Sequence, residues 1–249
     1  MITWITLINY GYIDYTKNFL TSMRRLNLSW KLKIYCLDYD LIHAELKDDP
    51  NCVLIDGSLF LKNKFSTKLT EWNTIQYKQL CFAKLDCLLY EMEHHQAESN
   101  LVGYMDMDIW LFKDPNVYLE ELIKNNNNIQ MFYSCDEYGE CSNKYGCKNM
   151  CTGTIVFRNN NKIRGFIKYK PSDIMRYAGD QHYLGPKNNV LKIPALAVAK
   201  NILLNGSWQD WCKHDKPLTI PATALLIHAN WVIGNIKQQK LAQQGWWCI

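Results

Sequence analysis

The sequence predicts an α/β fold, a mainly parallel sheet with helices on both faces. Three observations lead there. Short apolar runs rich in β-branched and aromatic residues alternate with segments whose apolar residues recur every three or four positions. That strand, helix, strand, helix rhythm selects crossover connections and a parallel sheet. The chain is 48% hydrophobic and 21% charged over 249 residues, which suits a globular protein read as a single domain, 1–249.

The elements follow in order. "ITWITLI" (Ile2–Ile8) reads as a buried strand, and Ile13–Leu28 as an amphipathic helix carrying Tyr15, Phe19, Met23 and Leu26 at helical steps. Lys31–Asp38 and Cys52–Gly57 give two more strands. Asn73–Glu93 is a long helix, and Leu101–Met105 a short strand with Gly103 inside it. After a helix at Asn116–Asn125, strands Ile129–Cys135 and Thr152–Asn159 flank a cysteine-bearing loop. A helix near Lys162–Tyr169 comes next, then "AGDQHYL", an apolar stretch, and a closing strand, loop and helix from Thr223.

Charge and cysteine content narrow the partners. A net charge of +4 with no stripe of Lys and Arg does not suggest a nucleic-acid partner, and none is expected. The N-terminus carries no leader pattern and no apolar run reaches spanning length, so no transmembrane segment is expected and the cytoplasm is the expected location. Ten cysteines in such a chain are expected to be free thiols. Cys135, Cys141, Cys147 and Cys151 are spaced more widely than the paired pattern usual in a zinc site, so incidental thiols or one loop disulfide are expected, with a structural zinc as the alternative. His94 and His95 are adjacent, so they do not converge on one point of a helix. Trp208, Trp211, Trp246 and Trp247 read as a patch packed on the domain, with a sugar-stacking rim as the alternative.

The stretch that carries chemistry is "YMDMDIWLFKDP". Asp106 and Asp108 stand one residue apart among apolar neighbours, just past a buried strand. Ionised carboxylates are costly to bury without a partner. Residues two apart on an extended segment point the same way, so D-x-D offers two carboxylates to one hard divalent cation. Ligands of open parallel sheets bind beyond the carboxyl ends of the strands, where this pair lies. A pair of solvated turn aspartates is the competing reading.

"YMDMDIWLFKDP" resembles the hallmark of the nucleotide-diphospho-sugar transferase family, glycosyltransferases of the GT-A fold. "TLINYGYIDYTKNFLTSMRRL" is similar to that family's opening strand and helix, and "YCLD" to its second strand. "CTGTIVFRN" resembles its NTG strand with Cys151 in place of Asn, which puts one acceptor-side contact in doubt. "GDQHYL" resembles its DQ element and "IHANWVIGNIKQQKL" its closing H-x-N…G…K element.

The resemblance implies a GT-A sheet with a nucleotide-sugar-binding half, 1–115, and an acceptor and closing half, 116–249. It implies that Asp106, Asp108 and His228 hold the metal, with Asp106 also placed to hold ribose hydroxyls. Lys237 and the backbone near Gly234 would contact the diphosphate. Asn9, Tyr10 and Gly11 would border the base and ribose, and Lys84 would reach the donor. Asp180 and Gln181 would face the reacting sugar or the acceptor, and Asp136 joins Asp180 as a carboxylate for base or nucleophile. Each has a plainer reading: His228 as a core histidine, Asp180 as a helix cap, Lys84 on a solvated face, Tyr10 as a strand-end aromatic.

The expected function is transfer of a sugar from a nucleoside-diphosphate sugar, a UDP-sugar, to a hydroxyl of a glycan or glycoprotein. Mixed carboxylate and imidazole ligation suits Mn²⁺, with Mg²⁺ as substitute. The closing element is more like the retaining branches, so retention is expected. A silent nucleotide-sugar or carbohydrate binder and a nucleotide-sugar hydrolase are the alternatives. The abundance of Asn, Lys and Ile suits an AT-rich viral or microbial genome.

Overall fold

Ten strands and eight α-helices are found in the computed structural model, which describes residues 1–61, 65–94, 100–137, 149–232 and 234–249. They are β1 (Thr3–Ile8), α1 (Ile13–Arg25), β2 (Leu32–Cys36), α2 (Tyr39–Leu46), β3 (Cys52–Asp56), α3 (Ile75–His94), β4 (Leu101–Met105), β5 (Ile109–Leu111) and α4 (Pro115–Asn125). The second half adds β6 (Met131–Cys135), β7 (Met150–Arg158), α5 (Asn161–Ile167), α6 (Pro171–Arg176), α7 (Asp180–Leu191), β8 (Ala195–Val198), β9 (Leu203–Asn205), β10 (Leu226–His228) and α8 (Asn235–Gln243).

Seven strands form one sheet in the order β3-β2-β1-β4-β7-β6-β8. The pairs β3–β2, β2–β1, β1–β4 and β6–β8 are parallel, and β7 runs antiparallel to both β4 and β6. The mainly parallel sheet is therefore present, with β7 alone reversed. A second sheet of three strands, β5-β10-β9, holds the closing strand.

Both faces of the large sheet are buried, which explains the near-continuous apolar strands. Trp4 and Ile8 of β1 join one core with Phe19, Leu20 and Met23 of α1, Leu119 of α4 and the small sheet. Ile5 and Leu7 join the other with Phe82, Leu85 and Leu88 of α3, Phe166 of α5 and Leu184 of α7.

Local chemistry sets the boundaries. The first helix stops at Arg25, short of Leu28, because Asn27 turns left-handed at φ 50. Asn27 N–H then bonds Arg24 O and Leu28 N–H bonds Met23 O, a Schellman-type ending. Asp114 caps α4 by accepting from Asn116 N–H at 2.9 Å, with Pro115 as its first residue. The segment Tyr39–Leu46, to which the sequence pattern assigns nothing, is helix α2; only Ile42 and Leu46 are buried on it, too few to show a periodic face. The apolar "IWL" after the aspartates is strand β5, whose partner arrives only with β10.

The C-terminal tryptophans follow the packing alternative. Trp211 is fully buried and meets Trp246 edge-on, Trp246 meets Phe112, and Trp247 meets Tyr15 of α1. Asn18 of α1 donates to Trp246 O at 2.8 Å, tying the chain end to the first helix. Cys36, Cys52, Cys81, Cys87, Cys135, Cys151, Cys212 and Cys248 are free thiols. Cys141, Cys147 and His95 lie outside the described residues. His94 stacks on Tyr90 at 4.2 Å.

Gly103 makes one close approach. It pairs in register with Trp4, and a Cβ there would lie 2.4 Å from two carbons of that indole. Trp4 is held by its Nε1–H to Asn116 Oδ1 at 2.7 Å and cannot yield easily. Gly103→Ala is expected to cost about 1–3 kcal/mol by overpacking. Urea unfolding checks this: the midpoint should fall, and an unchanged midpoint would contradict the packing.

Candidate active site

The carboxylates sit where the chain passes from one sheet to the other. The N–H of Asp106 still bonds Gly153 O at 2.8 Å, one step past the end of β4. The chain then crosses Met107 and Asp108 and enters β5, which pairs antiparallel with β10. That register sets His228 opposite Ile109, and Ala229 N–H bonds Asp108 O at 2.9 Å. The imidazole from the far end of the chain is thereby fixed beside the acidic pair. His228 Nε2 lies 3.0 Å from Asp108 Oδ1 and 3.4 Å from Asp106 Oδ2. Lys237, in the first turn of α8, places Nζ 2.5 Å from Asp108 Oδ2.

Asp108 and His228 are held charged in spite of burial. Burial alone would push the Asp108 carboxyl up, but the His228 imidazolium and the Lys237 ammonium hold it well below the usual carboxylate range. Burial would likewise drive the His228 proton off, yet Asp108 and then Cys151 keep its pKa well above the ordinary histidine value. Asp106, Asp108 and His228 each offer a ligand atom, all within 4.8 Å of one another, and among the described residues this is the trio so arranged. The Asp106 side chain is 32% exposed while the other two are buried, so the cluster opens on one side. Two carboxylates and an imidazole on an open-sided site fit a divalent cation with positions left for other oxygens.

Lys84 of α3 extends the cluster. It is 6% exposed, and its Nζ stands 3.2 Å from Asp180 Oδ2 and 3.5 Å from Asp106 Oδ1. The contact with Asp180 is an ion pair rather than a well-aligned hydrogen bond. Nζ also bonds Thr152 O at 3.3 Å and sits 4.4 Å from the Tyr104 ring centre. Burial opposes its charge, but Asp106 and Asp180 outweigh it and raise its pKa well above the normal lysine value. The solvated-face reading of Lys84 therefore does not hold. Next to Asp180, Gln181 donates to Asp136 Oδ2 at 2.7 Å. Asn230 Nδ2 and Trp231 Nε1 donate to Asp136 Oδ1 at 2.6 and 2.7 Å. Asp108, His228, Lys237, Asp106, Lys84 and Asp180 thus form one chain of ionic contacts, and Gln181 and Asp136 continue beside it.

Gly153, which the sequence pattern did not single out, and Cys151, read there only as standing in place of an Asn, shape this cluster. A Cβ at Gly153 would lie 2.1 Å from His228 Cε1 and 2.6 Å from Asp106 Oδ2, so β7 must carry glycine where the ring lies on it. Cys151, buried, sets Sγ 3.5 Å from His228 Nδ1 and so faces the ring edge opposite the carboxylates. The signal for both was "CTG" itself, but only the fold shows what stands over it.

The donor-side candidates are more dispersed. Asn9 is buried, and its Nδ2 donates to Ser66 O at 2.6 Å and Lys68 O at 2.8 Å. Tyr10 N–H donates to Asp38 Oδ2 at 2.8 Å, and Gly11 lies against the backbone of Lys68 and Leu69. The turn after β1 is thus overlaid by the 66–69 segment. A cleft of about 350 Å³ opens beyond β2 and β3, lined by Leu37, Asp38, Tyr39, Asp40, Leu41, Asp56 and Ser58. Gly234, at φ 62, starts α8 and accepts from Lys237 N–H at 3.1 Å.

No family model matches the sequence, and no curated protein sequence matches it. Solved structures do. The chain is similar to the galactosyltransferase LgtC in complex with donor and acceptor sugar analogs, at 13% identity and a TM-score of 0.56 over 98% of this chain and 95% of that one. It is similar to mouse xyloside xylosyltransferase 1, at 8% identity and a TM-score of 0.59 over 92% of this chain and 98% of that one. It is similar to the glycosyltransferase GlyE of Streptococcus pneumoniae TIGR4, at 16% identity and a TM-score of 0.54, covering 98% of this chain and 61% of that one. The fold is the GT-A fold.

Two outcomes follow from this geometry. Gly153→Ala is expected to abolish binding of a divalent cation at the trio, because the new methyl group occupies the space of the imidazole; calorimetric titration of wild-type affinity in the variant would contradict it. In the metal-free protein His228 carries a proton that a metal must displace, so affinity should rise with pH, by up to about tenfold per unit while the ring remains protonated. Titration in buffers of different ionisation heat reads the released proton, and a pH-independent affinity would overturn the pairing.

Proposed function

We propose that this protein is a metal-dependent glycosyltransferase that moves a sugar from a nucleoside-diphosphate sugar, a UDP-sugar, to a hydroxyl of a glycan or glycoprotein. The observation that carries the reading is the trio Asp106, Asp108 and His228, held at the carboxyl edge of a GT-A sheet. Two carboxylates and an imidazole favour Mn²⁺, with Mg²⁺ as substitute. Asp106, Asp108 and His228 would hold the ion, whose charge would offset that building on the departing β-phosphate.

The chain's own residues supply the rest. Lys237, 2.5 Å from Asp108, is within reach of a diphosphate beside the acidic pair, and Gly234 opens the helix whose N–H groups favour anions. Asn9, Tyr10 and Gly11 would border the base and ribose; Tyr10 N–H bonds Asp38, which lines the cleft beyond β2 and β3. Lys84 fixes Asp106 and Asp180 together, so that Asp180 and Gln181 face the reacting sugar in one arrangement. Residues 1–115 serve the donor and 116–249 the acceptor and closure.

Retention of configuration is the favoured outcome. Inversion needs a carboxylate free to take the acceptor proton. Asp180 is ion-paired to Lys84, and Asp136 accepts three side-chain hydrogen bonds. Both are better suited to positioning than to proton transfer. Among the described residues no helix is long and apolar enough to cross a membrane. The free thiols suit a reducing compartment, and a cytoplasmic location is part of this proposal.

A panel of sugar nucleotides, read by nucleoside-diphosphate release with Mn²⁺ or with EDTA, tests the reading. Turnover should need both the metal and an acceptor. Asp108→Asn keeps the shape and removes the charge, and should lower turnover at least about a hundredfold with the fold intact by circular dichroism. Full turnover in that variant or in EDTA would refute the metal assignment. Release that ignores the acceptor would indicate a hydrolase, and donor binding without release a silent binder.

A further inference from the structure

Trp231 combines a left-handed backbone with a half-exposed ring. Its backbone stands at φ 63, a left-handed conformation that bulky side chains adopt at a cost. The residue is 47% exposed, so burial returns only part of that cost. The indole is nevertheless fixed: Nε1–H donates to Asp136 Oδ1 at 2.7 Å.

The surrounding residues serve that placement. Asn230 Nδ2 donates to the same oxygen at 2.6 Å, and Gln181 Nε2 donates to Asp136 Oδ2 at 2.7 Å. Asn230 Oδ1 in turn accepts from Gly206 N–H at 2.8 Å. A Cβ at Gly206 would lie 1.9 Å from Asn230 O and 3.0 Å from Trp231 Cβ, so glycine is needed for the turn to seat there. Backbone strain, a required glycine and a carboxylate with three donors therefore converge on orienting one half-exposed ring. Strain kept at such a position points to ligand contact.

The ring also belongs to the candidate site. It follows the ligand His228 by a short turn, and its carboxylate anchor is held by Gln181, the neighbour of Asp180. We propose that Trp231 is the acceptor platform, its indole stacking on the apolar C–H face of a pyranose. Asp136, partly exposed, keeps acceptor capacity on Oδ2 for a hydroxyl of that sugar. A rigid indole gives large contact area at low entropy cost, and its polar edge is already satisfied by Asp136. The acceptor class is thus a pyranoside glycan rather than a bare peptide. This inference rests on the glycosyl-transfer reading.

An array of immobilised oligosaccharides and peptides, probed with the full chain in Mn²⁺ and UDP, tests it. Wild-type protein should be retained by pyranose-bearing glycans, Trp231→Ala about tenfold more weakly, and Trp231→Phe, which keeps an aromatic face but loses the bond to Asp136, between the two. UDP affinity in Mn²⁺ and melting temperature, measured on all three proteins, should stay together. Equal retention of Trp231→Ala, retention by peptides alone, or no retention of wild type would overturn the platform, even with UDP binding intact. Trp231-dependent glycan capture with no UDP binding by any of the three would support the platform and defeat the donor reading instead.

Discussion

Asp108 is buried between an imidazole and an ammonium, and the rest of the site depends on that. A carboxylate in an apolar strand-to-strand link is unstable alone; His228 at 3.0 Å and Lys237 at 2.5 Å make it tolerable. Both partners come from the end of the chain. The pairing of β5 with β10 is therefore as much an electrostatic requirement as a hydrogen-bond ladder, since it delivers His228 to the acid. The same charges make up the candidate divalent-cation site, where a metal would replace the proton on His228.

The two sheets divide the labour. The large sheet, with a core on each face, is a rigid base whose carboxyl edge presents Asp106. The small sheet brings His228, and α8 brings Lys237. Glycine at two junctions permits the approach: Gly153 lies under the imidazole and the Asp106 carboxylate, and Gly206 under the 230–231 turn. Lys84, from α3 on the opposite face of the large sheet, links Asp106 to Asp180. Side chains from β10, α8, α3, α7 and the β4–β5 link are thus held by mutual charge, which favours a preorganised site.

Much of this was readable in the residues, and the limits have physical causes. The period-two spacing of Asp106 and Asp108 is a local property, so their convergence could be expected from the strand before them. The first strands declare themselves because both faces of the sheet are covered. The three residues of β5 are too few to show a period, and their partner lies far along the chain. The left-handed Asn27 that ends α1 is a single-residue event inside an apolar pattern. Gly153 and Cys151 become meaningful only once His228 lies over them, and the pairing of Lys84 with Asp180 needs α3 and α7 side by side. Chain proximity reports short-range geometry; the charge network is made of long-range contacts.

Diffraction at the manganese absorption edge, from crystals grown with Mn²⁺ and UDP, addresses the central claim most directly. One anomalous peak is expected, bonded to Asp106, Asp108 and His228 Nε2, with the UDP diphosphate completing its shell. A peak away from these three side chains, or none at saturating metal, would contradict it.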